Sequence, residues 1–155
     1  MNRLTKFLPI LILLIVLFLF FRPFFTQGKI PIPADTVVGL YHPFRDFYAK
    51  DYTNGFPYKN FLITDPVLQQ YPWRGLAIDG QKKFELILWN PYTGAGEPLL
   101  GNIQSASLYP LNVLFFFLNF NIAWGIYIMI QPLLADLFTY LFLRNLKLNK
   151  LAAAG

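Results

Sequence analysis

The sequence contains no cysteine and a single histidine. The first absence excludes a disulfide framework, a thiolate zinc site, a Cys nucleophile and a thioether-linked haem. The second excludes a His-rich metal cluster. Charge is also scarce. Asp, Glu, Lys and Arg make up 14% of the 155 residues, where soluble domains average about 25%, which argues against an ordinary cytosolic domain. Disorder is excluded from the other side. The chain is 55% hydrophobic and 19% aromatic, and disorder needs low hydrophobicity with high net charge. The net charge is +5, but the basic residues form no block, so nucleic acid is not implied as a partner.

The apolar residues are clustered. Phe7 to Phe21 runs without one polar side chain, and Arg22-Pro23-Phe24-Phe25 follows. A span needs about 20 apolar residues. Leu4 to Phe25 reaches that length if Lys6 and Arg22 snorkel outward along their alkyl stems. A cleaved signal peptide, with Arg3 and Lys6 as its n-region, is the rival reading. The exit offers bulky aromatics and Pro where a peptidase wants small residues, so an uncleaved anchor is preferred.

From Thr26 to about Tyr109 the chain is rich in Pro, Gly, Asn, Asp and aromatics. Eight prolines, from Pro31 to Pro98, keep any helices short. Val67 to Phe84 is expected to form one or two, with Leu68, Tyr71, Leu76 and Ile78 as the apolar side. Trp89 to Gly94 reads as a turn. Aromatics at this density suit a segment at the membrane interface, or the core of a small extracytoplasmic domain. Leu111 to Leu118 is largely apolar but too short to span. Ile122 to Leu143 is long enough, and Pro132 is expected to kink it.

Arg3, Lys6, Arg144, Lys147 and Lys150 flank one side of the two segments, against Arg22 and Lys29 on the other. The positive-inside rule then places both termini in the cytoplasm. The expectation is an α-helical, multi-pass protein of the cytoplasmic membrane, with two transmembrane helices and a third beginning at the C-terminus. Residues 1–25 are the cytoplasmic N-terminus and first span. Residues 26–110 form the long extracytoplasmic loop with short interfacial helices and a candidate active-site motif. A re-entrant or interfacial helix covers 111–120, the second span 121–144, and a cytoplasmic turn with the start of a third helix 145–155. The abrupt end resembles that of a truncated polytopic protein.

Two stretches of the loop resemble one another. Asp35, Tyr41, Pro43, Phe44 and Arg45 match Asp65, Tyr71, Pro72, Trp73 and Arg74, with His42 as one extra residue in the first copy. An internal repeat is one reading and chance in an aromatic-rich loop the other. The second copy also opens a longer pattern. Asp65-Pro-Val-Leu-Gln69-Gln70-Tyr71-Pro72-Trp73-Arg74 is followed by Leu88-Trp89-Asn90-Pro91-Tyr92. Then comes Gly96-Glu-Pro98, with Asn102, Gln104, Ser105, Tyr109-Pro110 and Asn112 behind it. In order and spacing this resembles the N-terminal region of YfhO-like bacterial membrane proteins, polytopic glycosyltransferases of the GT-C type. The resemblance covers roughly Gly28 to the end. It departs at Glu85-Leu-Ile, where Leu-Pro is usual, at Gly101 for Ala, and at Asp136 in a span usually apolar there. Family members are several times longer.

The resemblance implies transfer of a sugar from a polyprenyl-phosphate donor to an extracytoplasmic acceptor. Its partners would be the lipid bilayer and the remaining transmembrane helices of a full-length protein. In such a reaction a carboxylate takes the acceptor hydroxyl proton, and the departing lipid phosphate needs cationic or hydrogen-bonding stabilisation. Asp65 carries the family motif and is the preferred base, with Asp35 second. Asp35 lies nearer the end of the first span. Either also reads as a helix N-cap, and Asp65-Pro66 is the usual cap followed by Pro at the first helical position. Gln69, Gln70, Tyr71 and Gln104 are candidate substrate-binding residues. Arg74 and Arg45 are candidate phosphate partners, with a solvated or snorkelling side chain as the alternative for each. No cofactor is evident, and the loop carboxylates permit a divalent metal without requiring one. Asp136, inside the second apolar segment, is expected to face another helix or be neutral, with a packing partner or a snorkel toward Arg144 as the alternative. The 155 residues alone are too few to wall in a lipid-sugar site, so this chain by itself is expected to be inactive. The competing expectation is a small two-span protein acting as a non-enzymatic binding or scaffold subunit.

Overall fold

The computed structural model describes residues 4–52, 60, 62–149 and 153. The chain is mostly helical and divides into two compact units. One comprises Met1–Pro31 and Asn119–Gly155, the other Ile32–Leu118.

In the first unit, helix α1 runs Leu4–Phe20 and helix α2 Arg22–Gln27. The break at Phe21 has a local cause. Pro23 has no N–H to give to the carbonyl of Leu19, and its ring crowds that carbonyl. The anchor expected over Leu4 to Phe25 is therefore a 17-residue helix followed by a separate short one. Gly28, at φ 65°, ends the second, with its N–H on the carbonyl of Pro23.

Helix α7 runs Phe120–Asn145, 26 residues. It is long and apolar enough to cross a membrane, by length and composition. Asn119 caps its start, the side-chain oxygen accepting from Asn121 N–H at 3.0 Å. Its far end closes with Lys147 in the left-handed region and Leu148 N–H returning to Leu143 O at 3.2 Å. Helix α7 continues through Pro132. Most apolar side chains from Ile10 to Phe20 are uncovered by protein. In water that exposure is costly at about 25 cal/mol per Å²; in hydrocarbon it costs nothing.

Gly125 sets how closely these helices approach. A Cβ there would lie 2.1 Å from Cε2 of Phe24. Gly125→Ala should therefore lower stability in detergent by about 1–3 kcal/mol through overpacking, less the gain of up to about 1 kcal/mol in helix propensity. In a Phe24→Ala background the clash is gone. The same substitution should then be neutral or stabilising in a thermal unfolding series.

The expected start of a third helix lies outside the described residues apart from Ala153, whose N–H meets Asn149 O at 3.1 Å. Arg3, Pro57 and Lys150 also lie outside them.

In the second unit, α3 runs Asp35–Leu40 and α4 Phe44–Tyr48. A π-helical turn over Pro66–Gln70 leads without interruption into α5, Tyr71–Lys82. Strand β1, Trp89–Asn90, pairs antiparallel with β2, Glu97–Pro98, in the register Trp89↔Pro98 and Asn90↔Glu97. The segment that reads as a turn is thus a short hairpin. Gly96, at φ +95°, lets its chain pass against the Trp89 indole, where a Cβ would sit 2.3 Å from Nε1. Two 3-10 turns, Ile103–Ser105 and Pro110–Val113, precede α6, Leu114–Phe117.

The core of this unit is Trp73, Ala77 and Leu99, with Leu76 and Ile87 packed on it. Helix α5 buries Trp73, Arg74, Ala77, Ile78 and Gly80. Of the apolar side expected from sequence, Ile78 is buried, Tyr71 and Leu76 are half-buried, and Leu68 is exposed. The π turn inserts one extra residue per turn, which rotates Leu68 off the buried face.

Candidate functional site

The two related stretches of sequence take different backbones. In the second copy the chain from Asp65 to Arg74 is continuously helical. In the first, α3 stops at Tyr41, which is extended (φ −118°, ψ 135°), and a cis His42-Pro43 bond precedes α4. His42, the extra residue, instead pairs with Asp46, Nδ1 to Oδ2 at 2.7 Å on the surface.

Asp65 is exposed, and its side chain makes no cap hydrogen bond. Its backbone is already helical (φ −54°, ψ −41°). The first carbonyl to take helical donors belongs to Thr64, which accepts from Leu68 N–H at 3.0 Å. The cap reading of Asp65 therefore does not describe its side chain. Gln69 and Gln70 are half-buried in the π turn. Tyr71 is half-buried too, and that burial pushes its phenol above the usual value, so it stays neutral at physiological pH.

Arg74 is 4% exposed. Neither a solvated nor a snorkelling arginine fits that burial. Its neighbour Trp73 donates from Nε1 to Thr93 Oγ1 at 3.5 Å. Thr93 also accepts from Asn90 Nδ2 at 2.8 Å, and the same amide donates to Glu97 Oε1 at 3.1 Å. Asn90 Oδ1 accepts from Tyr92 N–H at 3.0 Å. Asn90 is 2% exposed, so a side chain with both donors and an acceptor placed is what the hairpin needs.

Asn90→Asp removes two of those donors and sets a second carboxylate against Glu97. The cost should be about 2 kcal/mol or more near neutral pH. Like-charge repulsion raises one of the two folded-state pKa values above its unfolded value. The repulsive part of the penalty is therefore absent below the ordinary carboxylate range and grows as pH rises through it, while the loss of the amide donors persists. Glu97→Gln should relieve most of the repulsive part in a urea titration.

The third segment of the pattern is equally enclosed. Ser105 Oγ lies 2.8 Å from each of Leu99 O, Asn102 O and Ser107 Oγ. Asn112 Nδ2 donates to Ala106 O at 2.8 Å and to Ser107 O at 3.1 Å. Gln81 Nε2 on α5 donates to Ser107 O. The side chain of Gln104, by contrast, is exposed, and only its backbone N–H is held, by Asn102 Oδ1 at 3.0 Å. The three segments singled out by sequence thus fold onto one another, and Trp73, Arg74, Asn90, Ser105 and Asn112 are interior to that unit.

Asp35 stands elsewhere in the same unit. It is half-buried at the start of α3 and lines a cavity of about 390 Å³ with Ile32, Pro33, Asn60 and Ile63. That volume lies within the range of small-molecule sites. Thr36 behind it is buried, with Oγ1 donating to Pro33 O at 2.7 Å. Asp65 is not among the lining residues. Arg45 is exposed on α4. Asn60 was not a sequence candidate, since an isolated Asn in a polar loop carries no pattern. Among the described residues, no three His, Asp or Glu side chains gather closely enough to hold a metal ion.

No protein family model, no protein of curated function and no solved structure matches this chain.

Proposed function

We propose that this chain is the N-terminal portion of an integral membrane glycosyltransferase, which moves a sugar from a polyprenyl-phosphate donor to an extracytoplasmic acceptor. One observation carries the reading: the carboxylate of Asp35 lines a small-molecule-sized cavity walled by Ile32, Pro33, Asn60 and Ile63. A base in a largely apolar, partly enclosed wall is what proton abstraction from a sugar hydroxyl asks for. The acceptor oxygen attacks the anomeric carbon as its proton passes to the carboxylate. The bond from that carbon to the phosphate oxygen breaks, and its electron pair leaves with the lipid phosphate. Arg45, exposed on α4, has access to such a phosphate. Arg74 is enclosed within the unit.

The membrane part of the proposal has its own support. Helix α7 is long and apolar enough to cross. Five basic residues, Arg3, Lys6, Arg144, Lys147 and Lys150, flank one side of the two apolar segments against Arg22 and Lys29 on the other, which supports an N-terminus in the cytoplasm and residues 26–110 outside. A second reading, a non-enzymatic binding or scaffold subunit, is favoured by one fact. Most of the sequence pattern is spent on holding the loop unit together rather than on facing a cavity. The two readings separate in one assay. Membranes carrying the full-length protein are supplied with a radiolabelled polyprenyl-phosphate sugar, and release of the lipid phosphate is followed. The transferase reading expects turnover that Asp35→Asn removes. A protein that consumes no such donor, or whose Asp35→Asn variant turns over unchanged, would not be this enzyme.

A further inference from the structure

Asp136 is an acidic residue within an apolar helix that the transferase reading leaves unused. It lies on α7, nine residues before Asn145, or about 13 Å of helix rise from that end. It is exposed, and it lines an apolar groove of about 230 Å³ with Val16, Leu17, Phe20, Phe21 and Pro132. Among the described residues no basic side chain reaches it. Neither Phe7 to Phe21 nor Phe120 to Leu143 contains a Lys or Arg. A carboxylate at this depth in hydrocarbon is costly unless it is paired.

A second feature points the same way. Pro132 sits one turn before Asp136 and has no N–H for its usual helical acceptor, the carbonyl of Ile128. Ile128, Pro132 and Asp136 are spaced at four residues and so share one face of the helix. That face presents a carboxylate and a carbonyl without its usual donor, both acceptors, on an apolar surface. What complements it is a donor carrying positive charge.

From this we infer that the groove receives another transmembrane helix, one that carries a single lysine or arginine at the level of Asp136. Pairing of the two charges holds that helix against α1 and α7. The inference rests on α7 crossing the membrane and not on sugar transfer.

The test uses the protein, donor-labelled and reconstituted in phosphatidylcholine vesicles. The probe is an acceptor-labelled leucine–alanine transmembrane peptide with one lysine nine residues from its end, and its control has methionine at that place. Energy transfer should show the lysine peptide binding at least about fivefold more tightly than the methionine peptide. Asp136→Leu should erase the difference. So should Asp136→Asn, which keeps the shape and leaves helix content unchanged by circular dichroism. Equal binding of the two peptides, or a difference that survives both substitutions, overturns the inference. So does self-association of the protein that Asp136→Leu abolishes. Release of the wild-type protein from vesicles at alkaline pH would instead sink the spanning reading on which all of this stands.

Discussion

Asp35→Asn should lower sugar transfer by about 10²- to 10⁴-fold, the usual contribution of a positioned general base. The amide keeps the size and much of the hydrogen-bonding capacity of the carboxylate but cannot take a proton. The fall should therefore appear in kcat, with donor binding little changed and the unfolding midpoint of the loop unit held. Asp65→Asn should leave turnover within a few-fold of wild type, because Asp65 is exposed and lies outside the cavity that Asp35 lines. The resemblance alone ranks them the other way, since Asp65 carries the motif. The reverse outcome, with Asp65→Asn inactive and Asp35→Asn active, would move the base to the start of the π turn and leave the cavity without a role.

Hydropathy made the long helix legible. A run from Ile122 to Leu143 with flanking Arg144 and Lys147 reads as a span, and the helix found is Phe120–Asn145. The two extra residues at its start follow from Asn119, whose cap is a side-chain event rather than a matter of hydropathy. The first apolar run was legible in composition but not in continuity. Averaged hydrophobicity does not register that Pro23 withholds one N–H, yet that single missing donor ends α1 at Phe20.

Within the loop, the order of the motif residues was legible but their employment was not. Arg74 and Asn90 are polar, and polar residues in a loop read as surface or site. Their burial comes from contacts across the loop: Trp73 meets Thr93, and Gln81 meets Ser107, 20 and 26 positions apart. No local periodicity carries such pairings. The turn at Trp89 to Gly94 was read one step short, because the pairing partner of β1 lies beyond Gly96 and needs that glycine's left-handed backbone. The cavity at Asp35 was hidden for a similar reason. Asn60 and Ile63 reach it from more than 20 positions along the chain.

Trp73→Ala should cost the loop unit about 3–5 kcal/mol, the usual range for truncating a buried Trp. Trp73 is 7% exposed and forms the core with Ala77 and Leu99, so its truncation opens a cavity there. Its indole also donates to Thr93, the hydroxyl that Asn90 uses. Trp89→Ala is the matched control. Trp89 is 52% exposed, and its loss should cost about 1 kcal/mol. A urea titration followed by near-ultraviolet circular dichroism reads both. The comparison also decides how the unit serves the site. If the packed segments only hold Asp35 in place, Trp73→Ala should lose transfer and folded signal together, over the same urea range. If Trp73→Ala stayed folded but lost transfer, Trp73 or the Arg74 beside it would be acting on the substrate directly, and the cavity at Asp35 would be only part of the site. A variant as stable as wild type would show that the core lies elsewhere than around Trp73.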